Sequence, residues 1–283
     1  MKQLLLSLLL LCAACAAGAQ VLADTVPFDE ENPRFLLAGQ ADQAIAEGKY
    51  EEAAARLIEA ISICPNCPDN VILLSNLGMV YASDGRNQEA LDTFDGALRQ
   101  APRMRSLLNG RARVLLQMGR DADAYSAFGD LIAVDSLNTD ARYYHGMLAL
   151  YSGKLPEAEA DFRVLADSLP DEPATARALS SLNFLTGNYG KAIRYYRTLV
   201  ASEPEPEYYS ALAKCYLAEG QLTEASETIG QAFERYPEDA EIYYCRAWLN
   251  KSLFRPREAD EDGRMAVRLG IPQQRVDALL KSH

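Results

Sequence analysis

Apolar residues recur at helical spacing through most of the chain. In residues 73–102, Leu77 and Tyr81 fall on one face of a first predicted helix. After a short polar turn, Phe94 and Ala97 form the apolar stripe of a second helix. No sustained run alternates β-branched and polar residues as a half-buried strand would. The pattern therefore predicts pairs of amphipathic helices.

This helix pair recurs at intervals of 33 to 37 residues, each marked by a glycine. The marker glycines are Gly48, Gly85, Gly119, Gly153, Gly187 and Gly220. A small residue stands seven positions before each, an alanine five after it and a bulky apolar residue nine after it. Glycine suits the left-handed turn that ends a helix, and one hairpin cannot bury its apolar face alone. The spacing thus predicts a stacked array of hairpins.

The pattern resembles the tetratricopeptide repeat family, whose unit is a helix–turn–helix of about 34 residues. The resemblance implies an all-α fold, a right-handed α-solenoid of about seven repeats over residues 34–272. The repeats are predicted at 34–67, 71–104, 105–138, 139–172, 173–205, 206–239 and 240–272. The last departs from the pattern, with Phe254 at the glycine position and Gly263 at the bulky position. Residues 273–283 predict a capping helix.

The N-terminus has the features of a secretory signal peptide over residues 1–19. Lys2 precedes a short apolar run, and small residues lead to Ala19. The run is shorter than the roughly 20 residues of a membrane span. Lipoprotein processing at Cys15 is the competing interpretation and would leave a lipid anchor. Both predict export, to the periplasm or outside the cell or as an envelope lipoprotein, with residues 20–33 as a lead-in.

Charge and motif content narrow the function classes. The chain has 28 basic and 40 acidic residues, a net charge of −12, which disfavours nucleic acid and anionic lipid as partners. Its two histidines are His145 and His283, and we interpret His145 as a partly buried, hydrogen-bonded residue. The sequence has no nucleotide-binding, hydrolase or metalloprotease motif. We therefore expect a non-enzymatic protein without a metal or cofactor.

The family resemblance also assigns a groove lined by the first helix of each repeat. From the third repeat onward, its groove positions carry cationic and aromatic residues: Arg113, Tyr143, Tyr151, Arg177, Phe184, Lys214, Tyr244, Trp248 and Lys251. Cations donate hydrogen bonds to carboxylates, and rigid aromatic rings provide contact area. Trp248, the single tryptophan, is the predicted anchor. The alternative is that these aromatic rings pack between neighbouring helices.

These features favour an exported scaffold or adaptor of the cell envelope that binds a segment of a partner protein in its groove. A carbohydrate-binding or cell-wall accessory module is the alternative, since tyrosine and tryptophan stack on sugar rings. A thiol–disulfide enzyme built on Cys64 and Cys67 is a third. The sequence identifies neither the partner nor the oligomeric state.

Cys64 and Cys67 form a Cys-x-x-Cys segment at the junction between the first two repeats. A helix C-terminus at Cys64 raises a thiol's pKa, which is the reverse of a thioredoxin-like centre. Zinc would need two further ligands. The favoured prediction is a local disulfide, with a reactive pair as the alternative. Cys215 and Cys245, on first helices of adjacent repeats, are either bonded or buried.

Overall fold

The computed structural model describes residues 32–281, and within that range the regular structure is entirely helical. Fifteen helices follow one another along this range: α1 Pro33–Ala46, α2 Tyr50–Ile63, α3 Asn70–Ser83, α4 Asn87–Leu98, α5 Arg105–Gln117, α6 Asp121–Val134, α7 Thr139–Tyr151, α8 Leu155–Ser168, α9 Pro173–Leu185, α10 Tyr189–Ser202, α11 Pro206–Ala218, α12 Leu222–Arg235, α13 Ala240–Ser252, α14 Pro256–Arg268 and α15 Gln273–Lys281. They confirm the predicted all-α solenoid of helix–turn–helix repeats. The predicted signal peptide, Cys15, most of the lead-in and His283 lie outside the described residues.

The chain divides into two compact units, Met1–Pro102 and Arg103–His283. The described part of the first contains α1–α4, and that of the second contains α5–α15. None of the helices described has the length and apolar character needed to cross a bilayer.

The marker glycines end the first helix of each hairpin in the left-handed conformation. Their φ angles are 73° at Gly48, 76° at Gly85, 69° at Gly119, 77° at Gly153, 74° at Gly187 and 72° at Gly220. Phe254 takes the same conformation in the last hairpin, with φ 57° and 93% of its surface exposed. A residue with a Cβ pays about 1–2 kcal/mol to adopt this left-handed conformation. The last hairpin therefore keeps the same turn without glycine, at a cost in stability.

The two helices of a hairpin approach closely where an aromatic ring of the second meets a glycine of the first. A Cβ added to Gly78 of α3 would lie 2.6 Å from Cε1 of Phe94 on α4. A Cβ on Gly146 of α7 would lie 2.5 Å from Cε1 of Phe162 on α8. Both rings are fully buried. The small and bulky positions of the repeat are therefore the two sides of one contact.

In the first unit, a buried arginine connects three helices. Nη1 of Arg34 in α1 donates to both carboxylate oxygens of Asp69, at 3.1 and 2.9 Å, and its Nε donates to the carbonyl of Ala60 at 3.2 Å. Its Nη2 donates to Oδ1 of Asn70 at the start of α3. Because a buried charge needs full pairing, this arginine fixes the position of α1 relative to α2 and α3.

Cys64 and Cys67 lie beside that junction and are joined by a disulfide. The Asn70 side chain donates to the carbonyls of Cys64, at 2.8 Å, and Pro65, at 3.0 Å. The loop between α2 and α3 is thus held by a covalent bond and by the residue that Arg34 contacts.

We expect Gly78→Ala to lower the free energy of unfolding by about 1–3 kcal/mol, because the added methyl overlaps the buried Phe94 ring. Gly39→Ala in α1 is the matched control, since its Cβ would meet no atom within 4 Å. There, better helix propensity should raise stability by up to about 1 kcal/mol. Urea denaturation of both variants measures the difference, and equal stability of the two would contradict the contact.

We expect Cys64→Ser/Cys67→Ser to lower the free energy of unfolding by about 2 kcal/mol, because a short crosslink constrains the unfolded chain. Dithiothreitol should lower the stability of the wild type to the same level and leave the double variant unchanged. Denaturation with and without reductant checks this. A wild type that is equally stable after its thiols are shown to be reduced would refute the expectation.

Candidate functional site

In the second unit, several first helices contact the first helix of the next hairpin or the capping helix. α7 packs on α9, α11 on α13, and α13 on α15. The second helices make no comparable contacts in the described part of this unit. The first helices therefore form the concave side, and all nine predicted groove residues lie on them. They are Arg113 on α5, Tyr143 and Tyr151 on α7, Arg177 and Phe184 on α9, Lys214 on α11, and Tyr244, Trp248 and Lys251 on α13.

Three of the predicted groove cations are ion-paired with acidic residues 26 or 27 positions later in the chain. The pairs are Arg113 Nη2 with Asp140 Oδ2 at 2.9 Å, Arg177 Nη1 with Glu203 Oε2 at 2.6 Å, and Lys214 Nζ with Glu241 Oε2 at 2.6 Å. Each acid lies on or just before the first helix of the next hairpin. These pairs join successive repeats, so a ligand carboxylate has to compete with a carboxylate of the protein itself.

Glu241 is the centre of the largest of these ionic contacts. It accepts from Lys214 and, in a two-oxygen pair, from Arg275 of α15. Burial would raise the pKa of Glu241, but Lys214 and Arg275 more than offset it and hold that pKa below its usual value. The Arg275 guanidinium also covers the Tyr244 ring, 4.3 Å from its centroid. One face of the Tyr244 ring is thereby covered by another residue of this chain.

Two further predicted groove residues also contact neighbouring parts of the chain. Nζ of Lys251 donates to the carbonyl of Leu279 at 2.6 Å, near the C-terminus of α15 where the last carbonyls lack helical partners. Phe184 meets Tyr189 and Tyr196 of α10 edge to face, with centroids 5.8 and 6.3 Å apart. Phe184 is thus packed against the second helix of its own hairpin.

Tyr143, Tyr151, Arg177, Ser181 and Tyr208 form what we call the tyrosine–arginine centre, on the concave side of α7, α9 and α11. The Arg177 guanidinium interacts with the Tyr208 hydroxyl and lies within electrostatic range of the Tyr143 hydroxyl. Tyr151 shares a hydrogen bond with Ser181. Sequence analysis missed Tyr208, which lies outside the family's groove positions, and Ser181, which is neither charged nor aromatic.

Burial raises the pKa values of Tyr151 and Tyr208 to about 12. Both hydroxyls are protonated at neutral pH, as ordinary tyrosines are, and the raised pKa values mark them as desolvated; Tyr208 is itself buried. Tyr151 nevertheless has 43% of its surface exposed, so its ring is open to a ligand while its hydroxyl is desolvated. The hydrogen-bond donors of this centre lie in a desolvated part of the concave surface, where hydrogen bonds are stronger than in water.

Trp248 has neither a hydrogen-bond partner nor a ring contact among the described residues. It is half-buried on α13. It occupies the ninth position of its repeat, the position of Arg113 and Lys214 in theirs. Its ring and its donor are both available to a ligand.

His145 contacts the buried Asp161. Its Nδ1 lies 2.5 Å from Oδ2 of Asp161, whose other oxygen accepts from Arg142 at 2.7 Å. The ring stacks on Tyr125 with centroids 4.2 Å apart. The described residues hold no cluster of three or more histidine, cysteine, aspartate or glutamate side chains arranged to bind a metal.

Cys215 and Cys245 are free and buried in the structure. Burial raises the pKa of both thiols to about 12, so they stay protonated and are poor nucleophiles at neutral pH. Cys245 also donates to the Ser210 carbonyl at 3.5 Å. Both cysteines pack as small apolar residues.

We expect Glu241→Gln to lower the free energy of unfolding at pH 7 by about 1–3 kcal/mol, because two partly buried cations lose their counter-charge. The folded-state pKa of Glu241 is below the usual glutamate value of 4.5. Its contribution is therefore complete above pH 4.5 and is lost as the pH falls through that lower pKa.

Urea denaturation at pH 7, 5 and 3.5 checks this expectation. The difference between Glu241→Gln and the wild type should be constant from pH 7 to 5 and shrink below. Glu238→Gln, at an exposed acid in the preceding turn, is the control and should be near neutral at each pH. A difference that grows on acidification would contradict the assignment.

The described structure and the sequence both match known proteins. Tetratricopeptide repeat profiles match residues 39–104, 109–173 and 187–249. Human DnaJ homolog subfamily C member 3 is 28% identical over 184 residues, which cover 59% of this chain and 36% of that protein. Photosystem I assembly protein Ycf3 of Rippkaea orientalis is 28% identical over 105 residues, 37% of this chain and 61% of that protein.

Solved structures with the same fold cover more of the chain. A tetratricopeptide repeat protein of Parabacteroides merdae has a TM-score of 0.64 at 23% identity, over 88% of this chain and 98% of that one. The type IV pilus biogenesis factor PilW has a TM-score of 0.60 at 21% identity, over 74% and 96%. At these identities, the likeness concerns the fold. Because the family profiles match more than half of its length, the chain belongs to the tetratricopeptide repeat family.

Proposed function

We propose that this protein is an exported, non-enzymatic scaffold of the cell envelope that binds an extended segment of a partner protein on the concave side of α7–α13. The observation that carries the proposal is the tyrosine–arginine centre, a set of protonated hydroxyls and a guanidinium in a desolvated wall. An extended peptide presents backbone carbonyls at regular intervals, and these are the acceptors such donors need.

The ion pairs on the concave side bear on the chemistry of the partner. Arg113, Arg177 and Lys214 already have acidic partners, so much of their charge is compensated within the protein. Hydrogen bonds and aromatic contacts therefore contribute more to binding than net attraction of an acidic ligand. Trp248 and Tyr151 supply rigid apolar area, which typically makes up binding hot spots.

The comparisons support a role in assembly. Two similar solved structures are named for type IV pilus biogenesis and for Pseudomonas aeruginosa pilF, and a sequence relative is named for photosystem I assembly. Residues 1–19 support export, since they have a charged start, an apolar run and small residues before Ala19. The net charge of −12 argues against nucleic acid.

Crosslinking in the native envelope, followed by mass spectrometry, tests the proposal. We expect the wild type to capture a defined protein, and Trp248→Ala and Tyr151→Ala each to weaken its binding about 30-fold or more, as hot-spot truncations do. Tyr151→Phe keeps the ring and removes the hydroxyl, so its smaller loss measures the hydrogen bond alone.

Phe254→Gly is the matched control, because it removes an exposed aromatic ring from a turn whose φ of 57° suits glycine. Partner recovery should not change in this variant. If Trp248→Ala and Tyr151→Ala both retained full partner binding, the concave site would be wrong. Binding to a glycan array without protein capture would favour the carbohydrate-binding alternative instead.

A further inference from the structure

The outward face of α10 carries an unpaired basic stripe, which we define as Lys191, Arg194 and Arg197. α10 contains no acidic residue, although the chain has a net charge of −12. The three side chains are exposed and make no ion pair with any described residue. Beside them is an open depression of about 600 Å³ lined by Arg194, Arg197, Thr198, Ala201 and Ser202.

The outward face of α12 carries an acidic stripe, which we define as Glu224, Glu227 and Glu234. These side chains are also exposed and unpaired within residues 32–281. α11 packs against both α10 and α12, and Tyr216 of α11 is within electrostatic range of Arg197 in one stripe and of Glu224 and Glu227 in the other. Burial raises the pKa of Tyr216, and the charges of Arg197 and of Glu224 and Glu227 act on it in opposite directions. The two stripes are therefore neighbours of opposite sign.

Each charged face also includes a glycine whose lack of a side chain is not required by any contact within this chain. A Cβ at Gly190 of α10 or at Gly230 of α12 would meet no atom within 4 Å. Glycine costs a helix interior about 1 kcal/mol relative to alanine, a cost that applies to Gly230, whereas Gly190 is the second residue of α10. Gly190 is four residues before Arg194, and Gly230 is three after Glu227, so each lies on the charged face of its helix. Glycine at such a place permits the close approach of another backbone.

Two adjacent stripes of opposite charge can pair with the same two stripes on a second copy of the chain. A two-fold axis that runs between the stripes and along them places the basic stripe of each copy over the acidic stripe of the other. A two-fold axis across the stripes would instead place like charges opposite each other. A purely acidic partner would match α10 and be repelled by α12. A complementary surface therefore carries one basic and one acidic stripe, as far apart as those of α10 and α12.

We propose that the outward faces of α10 and α12 bind a second copy of this chain in a two-fold symmetric dimer. The proposal is independent of the function assigned to the concave side, because the stripes lie on second helices and the concave residues on first helices. The contact is polar and each copy carries excess negative charge, so the dimer is a reversible one that forms with increasing concentration.

Sedimentation velocity of the purified protein at 0.15 M NaCl tests the proposal across a concentration series. We expect the wild type to shift from one chain to two as concentration rises. Arg194→Glu/Arg197→Glu and Glu224→Arg/Glu227→Arg should each raise the dimer Kd by about tenfold or more, since like charges then face each other. The variant with all four changes should regain a dimer Kd within about threefold of the wild type, because the signs are exchanged on both sides.

Glu157→Arg/Asp167→Arg on α8 is the matched control for Glu224→Arg/Glu227→Arg, as it makes the same increase in net charge at exposed acids outside the stripes. Its dimer should be no weaker than that of the wild type. A wild type that stays a single chain throughout would overturn the proposal, as would charge reversals without effect. A fourfold variant that stays monomeric with native helix content by circular dichroism would also overturn it. Capture of the envelope partner should be equal in all of these variants, which separates this test from that of the concave site.

Discussion

The contact between a small residue of one helix and a bulky residue of its partner sets the distance between the two helices of a hairpin, and it is tightest where glycine meets an aromatic ring. At Gly78 and Gly146, the ring occupies the space where a Cβ would lie. The two helices can therefore pack at a separation that buries Phe94 and Phe162 completely. Because the same pair of positions recurs with the repeat, successive hairpins are alike enough to stack. Side chains at one repeat position then follow one another along the concave side.

In three of the repeats, the ninth position shows two different uses of one place on the concave side. Arg113 and Lys214 each reach an acid at the second position of the following repeat, which joins neighbouring hairpins. Trp248 occupies the same position in the last repeat, where only the short helix α15 follows. An ionic contact of this kind has no counterpart there, and an aromatic ring is left half-buried instead. At the end of the array, the ninth repeat position is thus no longer used for an ionic contact with a following repeat.

The fold was predictable because it depends on a periodic pattern that repeats six times, whereas the site depends on single contacts between repeats. The left-handed turn glycines and the departure at Phe254 were both visible in the sequence. The partners of the groove cations were not, because Asp140, Glu203 and Glu241 are spread among many acids of an acidic chain. Which acid is reached depends on the stacking distance and on side-chain conformation. Tyr208 was missed because it joins the concave centre from outside the family's usual positions.

Net charge is for the same reason a poor guide to recognition in this protein. Its value of −12 would suggest a surface that attracts cations everywhere. On the concave side, however, cations and acids are paired across repeats, so the sum of charge there has little effect on a ligand. On the outward side, Arg194 and Arg197 are unpaired beside unpaired acids, and the order of signs carries information that the sum does not. In the two interactions that we propose, selectivity thus depends on hydrogen bonding and aromatic contact on the inner side, and on the pattern of charge on the outer side.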